Sequence, residues 1–310
     1  MKLHRNQTEF QELITVIAAD KHIPESAVER DYYIVRALLF LSQSEYADNC
    51  VFKGGTSLSK CYPGSIERFS EDIDLTFIPG EGMSDKQIER RLKAIEKIMT
   101  DDSETEIVPS ERNDRNKSIY FWNGSRDNKI KLEIGSSVRP EPFGEKHLKT
   151  YIQEYLEKKG FTDVIDKYGL AEVSVNTLNI ERTFIDKIMS VKRHAICGTL
   201  TEKARHIYDV MRLYQMPEIQ LFLQDKKELK RLIGITKQTD SVYLEKRNVP
   251  KEYDPTGPFC FTEWKESFMK AGTVYEKLNE ELLYTDEKQR FDDALCVFEQ
   301  INSLLIEIDE

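Results

Sequence analysis

The sequence has no Cys-x-x-Cys pair. Its five cysteines, Cys50, Cys61, Cys197, Cys260 and Cys296, are scattered and odd in number. That argues against zinc and against a disulfide framework, and suits a reducing, cytoplasmic compartment. Long apolar runs are missing too. The longest, Ala37 to Leu41, is far too short to span a bilayer, so no membrane association is expected. Met1 to Asp20 reads as a polar-to-amphipathic helix rather than a cleavable leader. There is no internal repeat and no low-complexity segment. What is present is a chain of 310 residues, 39% apolar and 32% charged. It is long enough for two domains, each with its own core.

Basic residues are outnumbered, 45 Lys and Arg against 55 Asp and Glu. The formal net charge of −10 counts against a nucleic-acid partner, but it is unevenly spread. Residues 271–310 carry 11 acids and three bases, a net of −8, while residues 226–251 carry eight bases and three acids, a net of +5. Such runs are most often solvated faces. A two-faced protein would nevertheless present Lys226, Lys227, Lys230, Arg231, Lys246 and Arg247 to RNA and keep the acidic end away from it.

The chemistry concentrates between Val51 and Phe77, VFKGGTSLSKCYPGSIERFSEDIDLTF. Along Ile73–Phe77 the side chains alternate, so Asp72, Asp74 and Thr76 share one face while Ile73, Leu75 and Phe77 enter a core. Two acids side by side on a strand repel each other, and a fold tolerates them mainly when a cation sits between them. Oxygen-only ligation of this kind suits magnesium shared with substrate phosphates. Gly54 and Gly55 allow backbone N–H groups to approach a phosphate at a helix N-terminus. The plainer readings are an ordinary strand-to-helix turn for the glycines and a solvated edge strand for the acids. Ser57, Ser59 and Ser70 read as caps or loop hydroxyls rather than nucleophiles.

Further strands are expected at 104–108, 119–122 and 130–134, and helices at 5–20, 26–44 and 84–100. In Ile130–Ile134 the alternation places Glu133 on the polar face, where the plain reading is a solvent-facing glutamate paired with Lys131 or with a cross-strand base. A helix over 179–193 buries Phe184, Ile185, Ile188 and Met189, with Lys187 beside that stripe. The next, over 201–214, carries Arg205, Asp209 and Arg212; an exposed Arg205–Asp209 pair would contribute only about 0.3–0.5 kcal/mol. Beyond Gln215 the chain is mostly helical, with an irregular stretch at 248–261. Tyr275, Leu278, Leu282 and Leu283 have core spacing, as do Phe291, Leu295, Phe298, Ile301, Leu304 and Leu305.

The unbroken elements Gly54-Gly55-Thr56-Ser57-Leu58 and Arg68-Phe69-Ser70-Glu71-Asp72-Ile73-Asp74-Leu75 resemble the AbiEii/AbiGii toxin family. That family, with the MenT-like toxins, is a branch of the nucleotidyltransferase superfamily that includes DNA polymerase β. Residues 182–187 and 204–209 resemble its later motifs, and the likeness covers about residues 28–215. It implies an α/β protein: a small mixed-sheet nucleotidyltransferase core over 1–175 and a largely helical domain over 176–310, with a nucleoside triphosphate in the cleft between them. Asp72 and Asp74, with Glu133, would hold two Mg²⁺ ions. Gly54, Gly55, Thr56 and Ser57 would cradle phosphates, and Lys187 would bind them, oriented by Asp209. Arg68 is a further phosphate contact or a partner for Glu71. The resemblance also implies the toxin of a toxin–antitoxin or abortive-infection pair, with a cognate antitoxin and an RNA acceptor, the 3′ end of tRNA. Rival readings are transfer to protein hydroxyls and a silent nucleotide- or RNA-binding module.

Overall fold

Alternation at Ile73, Leu75 and Phe77 demands a strand with one apolar face, and all three side chains are at most 2% exposed. The structure, a computed structural model, describes residues 1–245, 253–281, 283, 285 and 287–309. It divides into two compact units. The first comprises Met1–Cys61, Phe69–Ser136 and Phe143–Leu178; the second comprises Tyr62–Arg68, Ser137–Pro142 and Asn179–Glu310.

The first unit is built on a seven-stranded mixed sheet. Its strands are β1 (Cys50–Lys53), β2 (Asp72–Phe77), β3 (Glu104–Ile107), β4 (Asn116–Trp122), β5 (Ile130–Gly135), β6 (Phe143–Leu148) and β7 (Val173–Leu178), in the order β3-β4-β5-β2-β1-β7-β6. Strands β2 and β5 run parallel, as do β1 and β7; the other neighbours are antiparallel. The three strands expected after residue 100 are present as β3, β4 and β5. Strands β6 and β7 widen the sheet on its other side and were not foreseen: Phe143-Gly-Glu-Lys-His-Leu148 has too little apolar content to stand out.

Six helices belong to this unit: α1 (Gln7–Lys21), α2 (Glu25–Ser42), α3 (Gly54–Cys61), α4 (Asp85–Met99), α5 (Tyr151–Lys159) and α6 (Thr162–Tyr168). The start of α4 is written locally, because Ser84 and Gln87 form a reciprocal capping box. Its Ile88, Leu92, Ile95 and Met99 then recur at helical spacing, and all are at most 1% exposed. The stripe on α2, from Val28 through Leu41, is buried as its period requires.

The second unit is helical: α7 (Ile180–Ile196), α8 (Arg205–Tyr214), α9 (Pro217–Gln224), α10 (Lys226–Glu245), α11 (Phe261–Met269), α12 (Gly272–Glu281) and α13 (Phe291–Asp309). Helix α7 buries Phe184, Ile185, Ile188 and Met189. A 3-10 turn, Leu200–Lys203, precedes α8, which begins four residues later than its sequence pattern suggested. Phe291, Phe298, Ile301 and Leu305 of α13 are buried; Leu295 and Leu304 are half-buried. Phe298 packs on Phe268 with ring centroids 4.8 Å apart. Leu282, Lys246, Arg247 and the start of the irregular 248–261 stretch lie outside the described residues. Among the described residues, no helix is long and apolar enough to cross a membrane.

Candidate active site

Strand register decides which polar side chains meet. Strand β2 lies between β1 and β5, with Asp72 opposite Lys131, and Asp74 opposite both Glu133 and Lys53. Paired residues on neighbouring strands share a face. Asp72, Asp74, Lys131 and Glu133 therefore lie on the same side of the sheet, away from the buried Ile73, Leu75 and Leu132. On this face Lys131 bridges two acids, 2.5 Å from Glu133 and 2.7 Å from Glu111. Burial works against the Lys131 charge, but the two carboxylates hold its ammonium well above the ordinary lysine value. Of the two sequence readings of Glu133, partner of Lys131 or third carboxylate, the first describes its contact and the second its place beside Asp74.

Gly54 opens α3 at the end of β1 with φ +85°. A Cβ at this position would fall 2.1 Å from Oδ2 of Asp74. Glycine is therefore required twice, for the left-handed backbone and for the approach of the carboxylate. The two halves of the motif are also tied together, since Thr56 Oγ1 and Ser70 Oγ lie 3.1 Å apart. Ser57 is fully buried and donates its hydroxyl to the Gly54 carbonyl at 2.9 Å. It shapes the turn, and what Gly54, Gly55 and Thr56 offer a ligand is the first turn of a helix, where N–H groups lack helical partners.

The second unit holds the remaining predicted residues, and it buries them. Asp209 on α8 is 0% exposed and Arg68 is 3% exposed. Arg68 grips Asp209 with two bonds, Nε to Oδ1 at 2.6 Å and Nη2 to Oδ2 at 2.8 Å. Lys187 on α7 adds a third contact, Nζ to Oδ2 at 2.8 Å. The exposed Arg205–Asp209 pair is overturned: Asp209 faces inward, towards two cations, and Lys187, beside the apolar stripe of its helix, is buried with it. The pairing of Arg68 with Glu71 is overturned as well, because Glu71 bonds Arg30 at 2.9 Å. Burial alone would raise the Asp209 pKa, but Arg68 and Lys187 outweigh it and hold the carboxyl below its ordinary value. Burial pushes the Lys187 ammonium down, against the attraction of Asp209. His206, whose Nδ1 is 2.8 Å from Ser190 Oγ, is pushed well below the usual imidazole value by burial and then by Lys187.

Sequence reasoning named Lys131 as a partner of Glu133 but missed its second carboxylate, Glu111, which is twenty residues away. It also missed His206 and Ser190, for which no local pattern exists. The basic segment is partly neutralised among the described residues: Lys226 pairs with Glu307, and Arg231 with Glu228. A cavity of about 530 Å³ lined by Leu39, Cys50, Phe52, Glu145, Glu172 and Asn176 includes none of the predicted site residues.

As they stand, no three His, Cys, Asp or Glu side chains among the described residues are gathered closely enough to hold a metal ion. At the acidic face the Glu133 carboxylate is engaged by Lys131. The donor set still fits a hard cation: Asp72, Asp74 and Glu133 supply only oxygens, from adjacent parallel strands in register. The face thus offers the oxygen donors that a polyvalent cation needs. The model of the nucleotidyl transferase AbiEii toxin family, from type IV toxin–antitoxin systems, matches residues 36–295, and the chain belongs to that family. Among solved structures it is similar to MenT4, a nucleotidyltransferase toxin from Mycobacterium tuberculosis H37Rv. The two are 18% identical, with 94% of this chain and 98% of that one covered and a TM-score of 0.47. It is also similar to JHP933 from Helicobacter pylori, at 18% identity, 83% and 95% coverage and a TM-score of 0.40. No curated protein matches it in sequence.

Proposed function

We propose that this toxin-family protein acts in the cytoplasm and transfers a nucleoside monophosphate from a triphosphate to an RNA hydroxyl, with the 3′ end of tRNA as acceptor, and so blocks translation until a cognate antitoxin restrains it. The observation that carries the chemistry is the register of Asp74 against Glu133, with Gly54 opening a helix directly beneath the Asp74 carboxylate. The acceptor hydroxyl gives up its proton to solvent, its oxygen forms a bond to the α-phosphorus, the bond from that phosphorus to the oxygen bridging to the β-phosphate breaks, and pyrophosphate leaves. Asp72, Asp74 and Glu133 are the residues that would hold Mg²⁺, two ions in this reading. Bound there, magnesium supplies charge neutralisation at the phosphates and activation of the attacking hydroxyl. Backbone N–H groups at the start of α3 bind phosphate oxygens. In the second unit Asp209, itself fixed by Arg68, keeps the Lys187 ammonium in one orientation, and the family resemblance assigns that ammonium to phosphate.

The acceptor is tested by incubating the protein with each α-³²P-labelled nucleoside triphosphate together with total tRNA or lysate protein. Label is expected in tRNA. Phosphate contacts should make affinity fall with salt, with a log–log slope of roughly −0.7 to −0.9 per contact. Label confined to protein, with no salt dependence, would replace the RNA acceptor by a Ser, Thr or Tyr hydroxyl.

A further inference from the structure

The acidic face contains its own cation. Lys131 lies opposite Asp72 in register, between the Glu133 carboxylate at 2.5 Å and the Glu111 carboxylate at 2.7 Å. Its side chain is 16% exposed. Glu111 is itself anchored, accepting a hydrogen bond at 2.9 Å from the hydroxyl of Ser118, a fully buried residue. Ser118 is in turn opposite Glu133 on the neighbouring strand. Lys131 therefore has two seats, and one of them is the carboxylate that the nucleotidyl-transfer reading assigns to metal.

We propose that Lys131 is an internal counter-cation that sets the metal affinity of this face: it holds Glu133 while no divalent ion is bound, and yields that carboxylate while remaining on Glu111 when one binds. The inference rests on the reading of Asp72, Asp74 and Glu133 as metal ligands. Its physical basis is direct. Four carboxylates, at Asp72, Asp74, Glu111 and Glu133, lie on or beside this face. Without an opposing charge they repel one another and disfavour the folded state. A lysine tied to Glu133 removes that repulsion, and the same positive charge opposes the arrival of a second cation. Glu111 lowers the barrier to exchange, because releasing Glu133 does not leave the ammonium without an anion.

Manganese serves as the probe, with binding read from the electron paramagnetic resonance signal of free Mn²⁺ and stability from melting in EDTA and in excess Mn²⁺. Lys131→Met should bind Mn²⁺ about tenfold more tightly than the wild type. It should also melt lower in EDTA and gain more from added Mn²⁺. Glu111→Gln, at a half-exposed position, keeps the shape of the side chain but removes the charge of the second seat, and should weaken Mn²⁺ binding by roughly threefold. If Lys131→Met does not fold in EDTA, the Glu111→Gln titration decides. Affinity in Lys131→Met equal to or weaker than wild type, or wild-type affinity in Glu111→Gln, overturns the proposal. Asp74→Ala separates this from the reading beneath it. If Asp74→Ala binds Mn²⁺ like the wild type, the metal reading of the face fails and takes the Lys131 proposal with it. If Asp74→Ala loses binding while Lys131→Met binds no tighter than the wild type, only the role of Lys131 fails.

Discussion

A methyl group at residue 54 would overlap the carboxylate of Asp74, on a backbone whose φ of +85° already disfavours any side chain. Gly54→Ala is therefore expected to lower stability by about 1–3 kcal/mol, read from urea unfolding, and to displace Asp74. A variant as stable as the wild type would mean that the close approach does not exist. Asp209 carries a larger expectation. Asp209→Ala leaves Arg68 and Lys187 as buried cations facing each other, a loss of about 3–5 kcal/mol. An exposed i,i+4 pair would lose only about 0.3–0.5 kcal/mol, so one denaturation curve distinguishes the two. What could be read from sequence at this scale was local: the glycine pair, the alternating acids, and Lys187 beside an apolar stripe. The partner of Asp209 was not legible, because Arg68 is 141 residues away and nothing in either neighbourhood encodes a contact of that range.

Among the elements, α3 matters most, since its first turn lies under Asp74 and its far end is clamped. Lys60 on α3 reaches Asp31 on α2 at 2.6 Å, and Asp31 also accepts from the Tyr151 N–H at the start of α5, at 2.6 Å. The Lys60 ammonium lies 4.1 Å from the Tyr151 ring centroid. Both charged side chains are 5% exposed, so removing Lys60 leaves the Asp31 carboxylate buried without its cation, whereas Lys60 also has Glu154 at 3.9 Å. Lys60→Met is expected to lower stability by about 3–5 kcal/mol, and Asp31→Asn combined with Lys60→Met to recover much of that loss, which a double-mutant cycle would measure. Simple additivity of the two changes would show that the clamp does not couple the helices. Elements with a strong period were legible: α2, α4, α7 and the strands β2 and β5 all follow from apolar spacing. Strands β6 and β7 were not: β6, with Glu145, Lys146 and His147 in a row, has no alternation, and in β7 the alternation of Val173, Ser174, Val175 and Asn176 is only four residues long. The 3-10 turn before α8 was hidden for a related reason, since Leu200–Lys203 continues the helical pattern of polarity without continuing the helix.

For the whole molecule, the histidines give a pH dependence with a definite sign. Burial, assisted by nearby cations, lowers His4 and His194 to about 4 and pushes His206 well below its ordinary value. The unfolded chain binds these protons below about pH 6.5 while the folded chain does not, so stability should fall as pH drops from about 6.5 towards 4. His206→Gln should shrink the loss between pH 7.5 and 5.5 by about 1 kcal/mol, and an unchanged loss would place His206 in solvent. Membership of the AbiEii family was legible from two short motifs in a chain whose acidic net charge pointed away from RNA. The central claim is that the acidic strand carries out nucleotidyl transfer, and its most direct test compares wild type with Asp72→Asn and Asp74→Asn. Each variant keeps the shape of the side chain and removes one charge from a face that carries both signs, so melting temperatures should stay close to that of the wild type. Release of labelled pyrophosphate from γ-³²P triphosphate in the presence of tRNA should fall to less than about 1% of wild type in both, a loss of roughly 2.7 kcal/mol or more of transition-state stabilisation. Either variant turning over at more than a few per cent of the wild-type rate, while folded, would contradict the assignment.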